Sequence, residues 1–150
     1  MLHSNLKTCG FFVYPAAMTS TDVTSTPKAI MILDDEDDIV YIFRKALELG
    51  GYSVFAFTDP ELALEHLKMY TDRYGLIISD IRMPKMDGRE FVEKVRLFAP
   101  SISIILMSAF GMADLNIGFE LKIAELVQKP ITPIKLKEVV SKYVKPNPVV

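Results

Sequence analysis

From Lys28 onward, the hydrophobic positions of this chain form short continuous runs that alternate with longer, periodic ones. The short runs have the length of β-strands and are bounded by polar, Gly or Pro residues. The first, third and fourth runs are nearly continuous in Ile, Leu and Met, which is typical of strands covered on both faces. The predicted strands are Ala29–Leu33, Val54–Phe57, Leu76–Ile78, Ile102–Met107 and Ala124–Val127.

Amphipathic segments separate these runs and predict helices. Ile39, Phe43 and Leu47 recur at helical spacing, and Gly50–Gly51 ends that helix. Asp59–Pro60 supplies a capping side chain and a first-turn proline for the next helix. The remaining helical patterns are Phe91–Phe98, Met112–Lys122, which Gly118 interrupts, and Leu136–Tyr143.

A strand followed by a helix therefore repeats five times along the chain. This order predicts an α/β domain in which helices cover both faces of a parallel sheet through right-handed crossovers. In such doubly wound sheets, ligands bind at the carboxyl ends of the strands. Functional side chains are therefore expected directly after the predicted strands.

Composition narrows the class of protein. The 150 residues, of which 50% are hydrophobic and 24% charged, suffice for one globular domain with a sizeable core. The formal net charge of −2 disfavours a general nucleic-acid binder. The single cysteine, Cys9, excludes an internal disulfide and any cysteine-based zinc site, and no apolar run is long enough to span a bilayer.

The N-terminal residues 1–27 differ from the rest, since Lys7 and Asp22 are their only formally charged side chains. The polar, turn-prone segment Thr19–Pro27 predicts that 1–27 is a disordered or poorly ordered extension. A signal peptide over Cys9–Met18, or a true start at Met18, is the alternative interpretation. The folded domain is expected at residues 28–145, followed by a short tail at 146–150.

Polar side chains follow four of the predicted strands: Asp34 and Asp35, Asp80, Ser108, and Lys129. Each alone has an ordinary explanation as a helix-end charge, a turn former or a solvated lysine. If these strands are neighbours, however, at least three carboxylates meet at one edge. Two charges about 6 Å apart repel by roughly 3 kcal/mol at an effective dielectric near 20, so a compensating cation is expected.

An oxygen-rich site with few protein ligands suits Mg²⁺, which keeps several waters and pairs with phosphate. Lys129 would add a second positive charge, and Ser108 would add a hydroxyl donor. A carboxylate between a divalent metal and a lysine is a natural phosphoryl acceptor, because phosphoryl transfer depends mostly on positioning and on neutralising oxygen charge.

Four sequence strings at the strand ends carry a resemblance to a known family. They are I-M-I-L-D-D-E-D-D-I (30–39), I-I-S-D-I-R-M-P-K-M-D-G (77–88), M-S-A (107–109) and Q-K-P-I (128–131). From residue 28 to about 144 the chain resembles the CheY-like receiver domain of two-component response regulators. The resemblance implies a flavodoxin-like, doubly wound five-stranded parallel sheet of order 2-1-3-4-5 with five helices.

The resemblance also implies a role for each acidic residue. Asp80 corresponds to the phosphorylated aspartate. Asp35 corresponds to the main Mg²⁺-binding carboxylate, with Asp34 assisting partly through water, and Asp80 and the backbone carbonyl of Arg82 complete the metal ligands. Ser108 corresponds to the switch hydroxyl.

Lys129 corresponds to the lysine that contacts the phosphoryl oxygens, and the Lys129–Pro130 bond is expected to be cis. The implied protein is cytoplasmic and catalyses only its own phosphorylation and dephosphorylation. Its phosphoryl donor is a sensor histidine kinase or a phosphotransfer protein.

Phosphorylation would draw in the switch hydroxyl and change how the face of the fourth and fifth helices binds an unknown downstream protein. No direct nucleic-acid or membrane contact is expected. Because only 145–150 follow the last predicted helix, a stand-alone receiver is expected. Ile117, Phe119 and Ile131 are candidates for the contact face, and an ordinary core or rim position is at least as well supported for each.

Three positions depart from the commonest receiver pattern. Leu126 stands three residues before Lys129, where many receivers carry a Tyr or Phe that moves inward when the switch hydroxyl shifts. Leucine has no aromatic ring, which puts this coupling in doubt. Phe110 and Arg82 follow Ser108 and Asp80 by two residues and are expected to overhang the phosphoryl group and restrict the attacking water. These two side chains motivate the hypothesis that the phosphorylated form is long-lived.

Three other functions compete with a phosphorylated receiver. An aspartyl-phosphate hydrolase of the haloacid dehalogenase type needs its nucleophile in a D-x-D pattern on the first strand, where this chain has D-D-E-D-D. A nucleotide or flavin carrier needs a phosphate-cradling loop at that position, and five acidic residues would repel phosphate. A degenerate receiver that acts as a phosphate-independent interaction module is left open by Leu126.

Overall fold

A computed structural model of the chain describes residues 26–110 and 114–148, in which five strands alternate with five α-helices. The strands are β1 (Ala29–Leu33), β2 (Val54–Phe57), β3 (Tyr74–Asp80), β4 (Ser103–Ser108) and β5 (Glu125–Gln128). The helices are α1 (Asp37–Leu49), α2 (Pro60–Met69), α3 (Gly88–Phe98), α4 (Leu115–Leu121) and α5 (Pro133–Val140), and a short 3-10 turn, Thr71–Arg73, precedes β3.

The strands form one parallel sheet in the order β2-β1-β3-β4-β5, which confirms the predicted topology. In the three central strands, Ile32 lies beside Ile78 and Ile78 beside Ile105. All five residues of β1 are buried, because helices cover both faces of the sheet. This double coverage explains the continuous apolar runs in the sequence.

Two hydrophobic clusters fill the two layers between sheet and helices. On one face, Phe43 of α1 and Leu136 of α5 pack against alternate strand residues such as Ile78. On the other face, Leu67 of α2 and Phe91 of α3 are fully buried against the intervening strand residues. The carboxyl ends of the strands are left uncovered by these layers, and the polar residues of the sequence lie there.

The observed elements differ from the predicted ones mainly at their ends. Strand β3 begins at Tyr74, two residues before the prediction, because the low strand propensity of Gly75 conceals a buried tyrosine. Helix α4 continues through Gly118 and ends where Lys122 adopts a left-handed conformation with φ 52°. Helix α5 ends at Val140, and a turn continues the chain to Tyr143.

Some of the segments predicted from the sequence lie partly outside the described residues. The predicted N-terminal extension, 1–27, is described only for residues 26 and 27, and Met112 lies in the undescribed gap. The predicted tail, 146–150, is described as far as residue 148. Within the described ranges, every helix is too short or too polar to cross a membrane.

Gly88 determines how β3 is connected to α3. Its N–H donates to the carbonyl of Ile81 at 2.8 Å, and Asp87 caps α3 by accepting the N–H of Glu90 at 2.9 Å. A Cβ atom at position 88 would lie 2.5 Å from the carbonyl oxygen of Asp80 and 2.8 Å from the Cα of Ile81. Both contacts are with backbone, so a larger residue must displace the end of β3.

Substitution Gly88→Ala is therefore expected to lower the free energy of unfolding by about 1–3 kcal/mol, the usual cost of overpacking. The matched control is Gly118→Ala, whose Cβ would meet the end of the Ile123 side chain at 3.3 Å. That side chain can yield, and alanine favours helix by up to about 1 kcal/mol, so the control should stay within about 1 kcal/mol of wild type. Urea denaturation followed by circular dichroism measures both, and a Gly88→Ala protein as stable as wild type would contradict the close approach.

Candidate functional site

Three carboxylates meet at the carboxyl edge of the sheet. Asp34 and Asp35 directly follow β1, and Asp80 is the last residue of the adjacent strand β3. One oxygen from each of the three lies within 4.8 Å of the others. Asp34 is 0% and Asp80 5% exposed, whereas Asp35 is open to solvent. The structure thus brings together the three acidic residues that the sequence singled out.

Lys129 supplies the nearest positive charge. It follows β5, and its Nζ lies 2.9 Å from Oδ2 of Asp34 and 3.4 Å from Oδ2 of Asp80. The Lys129 N–H donates to the carbonyl of Ser108 at 2.7 Å, which fixes the chain beside the end of β4. The Lys129–Pro130 peptide bond is cis, as the family resemblance implied.

The pKa of Asp80 and the pKa of Lys129 are both raised, for different reasons. Burial raises the pKa of the Asp80 carboxyl and neighbouring Asp34 adds to this, while Lys129 offsets part of the effect. Burial lowers the pKa of the Lys129 ammonium, but its hydrogen bond and charge pairing with Asp34 and Asp80 outweigh burial and leave that pKa raised. Asp34 also accepts the N–H of Glu36 at 3.0 Å, so each of its oxygens has a donor.

Ser108 lies at the same edge, at the end of β4. Asp80 pairs in register with Met107, so Ser108 lies one residue beyond the acidic cluster. Its side chain is fully buried, and its hydroxyl donates to Oδ2 of Asp114. The same hydroxyl oxygen accepts the N–H of Phe110 at 3.0 Å. The predicted hydroxyl of Ser108 therefore lies at the carboxyl edge of the sheet. It donates its proton to Asp114, a residue that the sequence analysis did not predict to be part of the site.

Asp114 is the site residue that sequence reasoning missed. It directly precedes α4, is 1% exposed, and accepts Nη2 of Arg82 at 3.0 Å through its other oxygen, Oδ1. The Arg82 guanidinium also lies 4.9 Å from the ring centre of Phe110, within cation–π distance. Arg82 and Phe110, predicted to overhang the site, thus form one connected group with Asp114. The sequence carries no signal for this beyond an acidic residue at a helix start.

The other residues singled out from the sequence, Leu126 and the three candidate contact residues, lie outside the acidic cluster. Leu126 lies on β5, half-buried against the core. Of the three candidate contact residues, Phe119 is 77% exposed on α4, whereas Ile117 and Ile131 are partly buried against the two clusters. Phe119 alone of these three is mainly solvent-facing.

Comparison with known proteins places the chain in a family. A model of the response regulator receiver domain matches residues 30–141, and the chain belongs to this family. Receiver domains are the signalling modules of two-component systems, and their regulation is by phosphorylation. The fold and the acidic edge described above are those expected of this class.

Individual relatives agree with the assignment. The chain is 34% identical over 107 residues to the alkaline phosphatase synthesis transcriptional regulatory protein PhoP of Bacillus subtilis, covering 71% of this chain and 44% of PhoP. It is 33% identical over 89 residues to the receiver protein CpdR of Brucella abortus, covering 59% and 72% of the two chains. The solved structure of the chemotaxis response regulator CheY4 of Vibrio cholerae superposes with a TM-score of 0.72 at 26% identity, covering 78% and 98%.

The chain spans less than half the length of PhoP and of other transcriptional regulators that it matches. The similarity is therefore to their receiver domains.

The charge arrangement leads to a stability prediction. Lys129→Met removes the cation beside two buried carboxylates and should lower the free energy of unfolding by about 2 kcal/mol in buffer free of divalent cations. The expected loss is smaller than the cost of breaking a fully buried ion pair, about 3–5 kcal/mol, because the Lys129 side chain is 17% exposed. The matched control, Lys142→Met, breaks an exposed pair with Glu125 and should cost at most about 1 kcal/mol. Equal losses in the two variants, measured by urea denaturation, would contradict a buried role for Lys129.

Proposed function

We propose that this domain accepts a phosphoryl group on Asp80 in a Mg²⁺-dependent reaction and thereby switches its contacts with a partner protein. The observation that supports this best is the convergence of Asp34, Asp35, Asp80 and Lys129 at one edge of the sheet. The donor is a phosphohistidine on a sensor histidine kinase or a phosphotransfer protein, the donors that serve receiver domains.

The donor set of the site fits a hard divalent cation. Three carboxylate oxygens within 4.8 Å of one another form an all-oxygen set with few protein ligands, which suits Mg²⁺. Asp34, Asp35, Asp80 and the backbone carbonyl of Arg82 would hold the ion. When bound, Mg²⁺ supplies positive charge that neutralises the phosphoryl oxygens.

In the transfer step, an oxygen of the Asp80 carboxylate forms a bond to phosphorus while the bond between phosphorus and the imidazole nitrogen breaks. The electron pair of that bond leaves with the imidazole, which takes up one proton from solvent. The Lys129 ammonium lies 3.4 Å from the carboxylate and donates to a phosphoryl oxygen as charge builds there. Ser108, at the end of the neighbouring strand β4, provides a hydroxyl donor.

The output surface is assigned to the side of α4 and α5, where an unidentified protein binds differently in the two states. Helix α4 begins directly after Asp114, which contacts both Arg82 and Ser108. A movement of Arg82 or Ser108 would therefore change the contacts of the residue that directly precedes α4. Exposed Phe119 on that helix is the apolar side chain best situated for contact.

The acceptor assignment is tested with acetyl phosphate as a small phosphodonor. With Mg²⁺, intact-mass spectrometry should detect the addition of one phosphoryl group to the native protein, and chelation of Mg²⁺ should abolish it. Asp80→Asn should not be labelled, because the amide is not a nucleophile. Asp38→Asn, which changes an exposed acid in the first turn of α1, should be labelled as the native protein is. Persistent labelling of Asp80→Asn would refute Asp80 as the acceptor.

Loss of the phosphoryl group requires water to attack phosphorus as the bond to the Asp80 oxygen breaks, which releases inorganic phosphate. The stacked Arg82–Phe110 pair is proposed to restrict that water, so the phosphorylated form should be long-lived. Phe110→Ala should shorten its half-life about threefold, since such an exposed contact contributes about 0.5–1 kcal/mol.

Phe119→Ala removes another exposed phenylalanine and serves as the control, with an unchanged half-life expected. Timed loss of phosphate from the purified proteins measures both variants. A native half-life of seconds, or equal half-lives in native and Phe110→Ala proteins, would contradict the shielding.

A further inference from the structure

Asp114 holds two donors of the proposed phosphorylation site at once. Its Oδ1 accepts Nη2 of Arg82 at 3.0 Å, and its Oδ2 accepts the hydroxyl of Ser108. The carboxylate is 1% exposed, so both of its oxygens depend on protein partners instead of bulk water. A buried anion satisfied in this way is stable only while these donors remain in place.

The hydroxyl of Ser108 has a single proton. A hydroxyl can donate to only one acceptor at a time, and this proton is directed to Asp114. Phe110 occupies the acceptor side of the same oxygen through its N–H at 3.0 Å. Donation to a phosphoryl oxygen on Asp80 therefore requires that Ser108 give up its bond to Asp114.

Arg82 can follow the same exchange at low cost. Its side chain is 60% exposed, so the guanidinium needs little further desolvation to move. Arg82 lies two residues past Asp80, about 7 Å along an extended chain, within reach of an oxygen held on that carboxylate. A phosphoryl group carries more charge than Asp114 and attracts the same guanidinium in a fork-like geometry.

We propose that Asp114 is a positioning residue that competes with the phosphoryl group for Ser108 and Arg82. This inference rests on the proposed phosphorylation of Asp80. In the unphosphorylated domain Asp114 retains both donors, and phosphorylation draws them away. The carboxylate, left buried without partners, then turns toward water, and α4 moves with it because Leu115 begins that helix.

The competition is measured with beryllofluoride, which mimics a phosphoryl group on a carboxylate. Isothermal titration in the presence of Mg²⁺ should detect about tenfold tighter binding to Asp114→Ala than to the native protein. One charge-assisted hydrogen bond corresponds to a factor of this size. Asp114→Asn keeps the volume of the side chain and should also bind more tightly, by a smaller factor, because its amide retains a single acceptor oxygen.

A positioning role of Asp114 is distinguished from a general structural role by asking whether the effect of Asp114→Ala depends on Arg82 and Ser108. In an Arg82→Ala/Ser108→Ala background, adding Asp114→Ala should leave the beryllofluoride affinity unchanged, because nothing remains to be released. Glu120→Gln is the control in the otherwise native protein: it breaks another acid–arginine pair on α4, with Arg89 at 2.7 Å, and should bind as the native protein does.

Native affinity in both Asp114 variants, or the same gain in the double-alanine background, would overturn the competition while leaving the proposed phosphorylation intact. Failure of the native protein both to bind beryllofluoride and to be labelled by acetyl phosphate would instead overturn the proposed function and, with it, this inference.

Discussion

The pairing of Lys129 with Asp34 and Asp80 is the interaction on which the functional edge depends. Two nearly inaccessible carboxylates beside a third repel one another, and the ammonium at 2.9 and 3.4 Å makes their burial tolerable. The parallel order of strands creates this arrangement, because it directs every strand end to one side. The long side chain of Lys129 reaches from the end of β5 past β4 to the carboxylate that follows β1 and the one that ends β3.

Beyond this ion pair, a second layer of side chains connects the edge to α4. Ser108 at the end of β4 and Arg82 after β3 both contact Asp114, which immediately precedes the helix. The hydrogen bond between Ser108 and Asp114 is buried and has few alternative arrangements, so a change in one of these two partners requires a discrete change in the other. Under the proposed phosphorylation of Asp80, these contacts would connect the added charge at the sheet edge to the start of α4.

Most of the fold and the acidic cluster follow from the sequence, because both depend on local patterns. Continuous apolar runs predict buried strands, and the topology then brings Asp34, Asp35 and Asp80 together without knowledge of side-chain contacts. Asp114 could not be predicted in this way. An acidic residue before a helix is ordinarily an exposed cap, whereas Asp114 is 1% exposed and accepts hydrogen bonds from Arg82 and Ser108, two contacts that no local sequence pattern indicates. The early start of β3 was similarly hidden by Gly75, since Tyr74 contacts side chains of other elements, His66 on α2 and Phe55 on β2.

Titration of the ¹⁵N-labelled protein with Mg²⁺, followed by amide chemical shifts, tests most directly whether these distant residues form one cation-requiring pocket. Saturable changes should be confined to the residues that follow β1, β3, β4 and β5, namely Asp35, Ile81, Ala109 and Lys129. Weak, non-saturating shifts spread over exposed acids such as Asp37, Asp38 and Glu90 would contradict a single pocket at the carboxyl edge of the sheet.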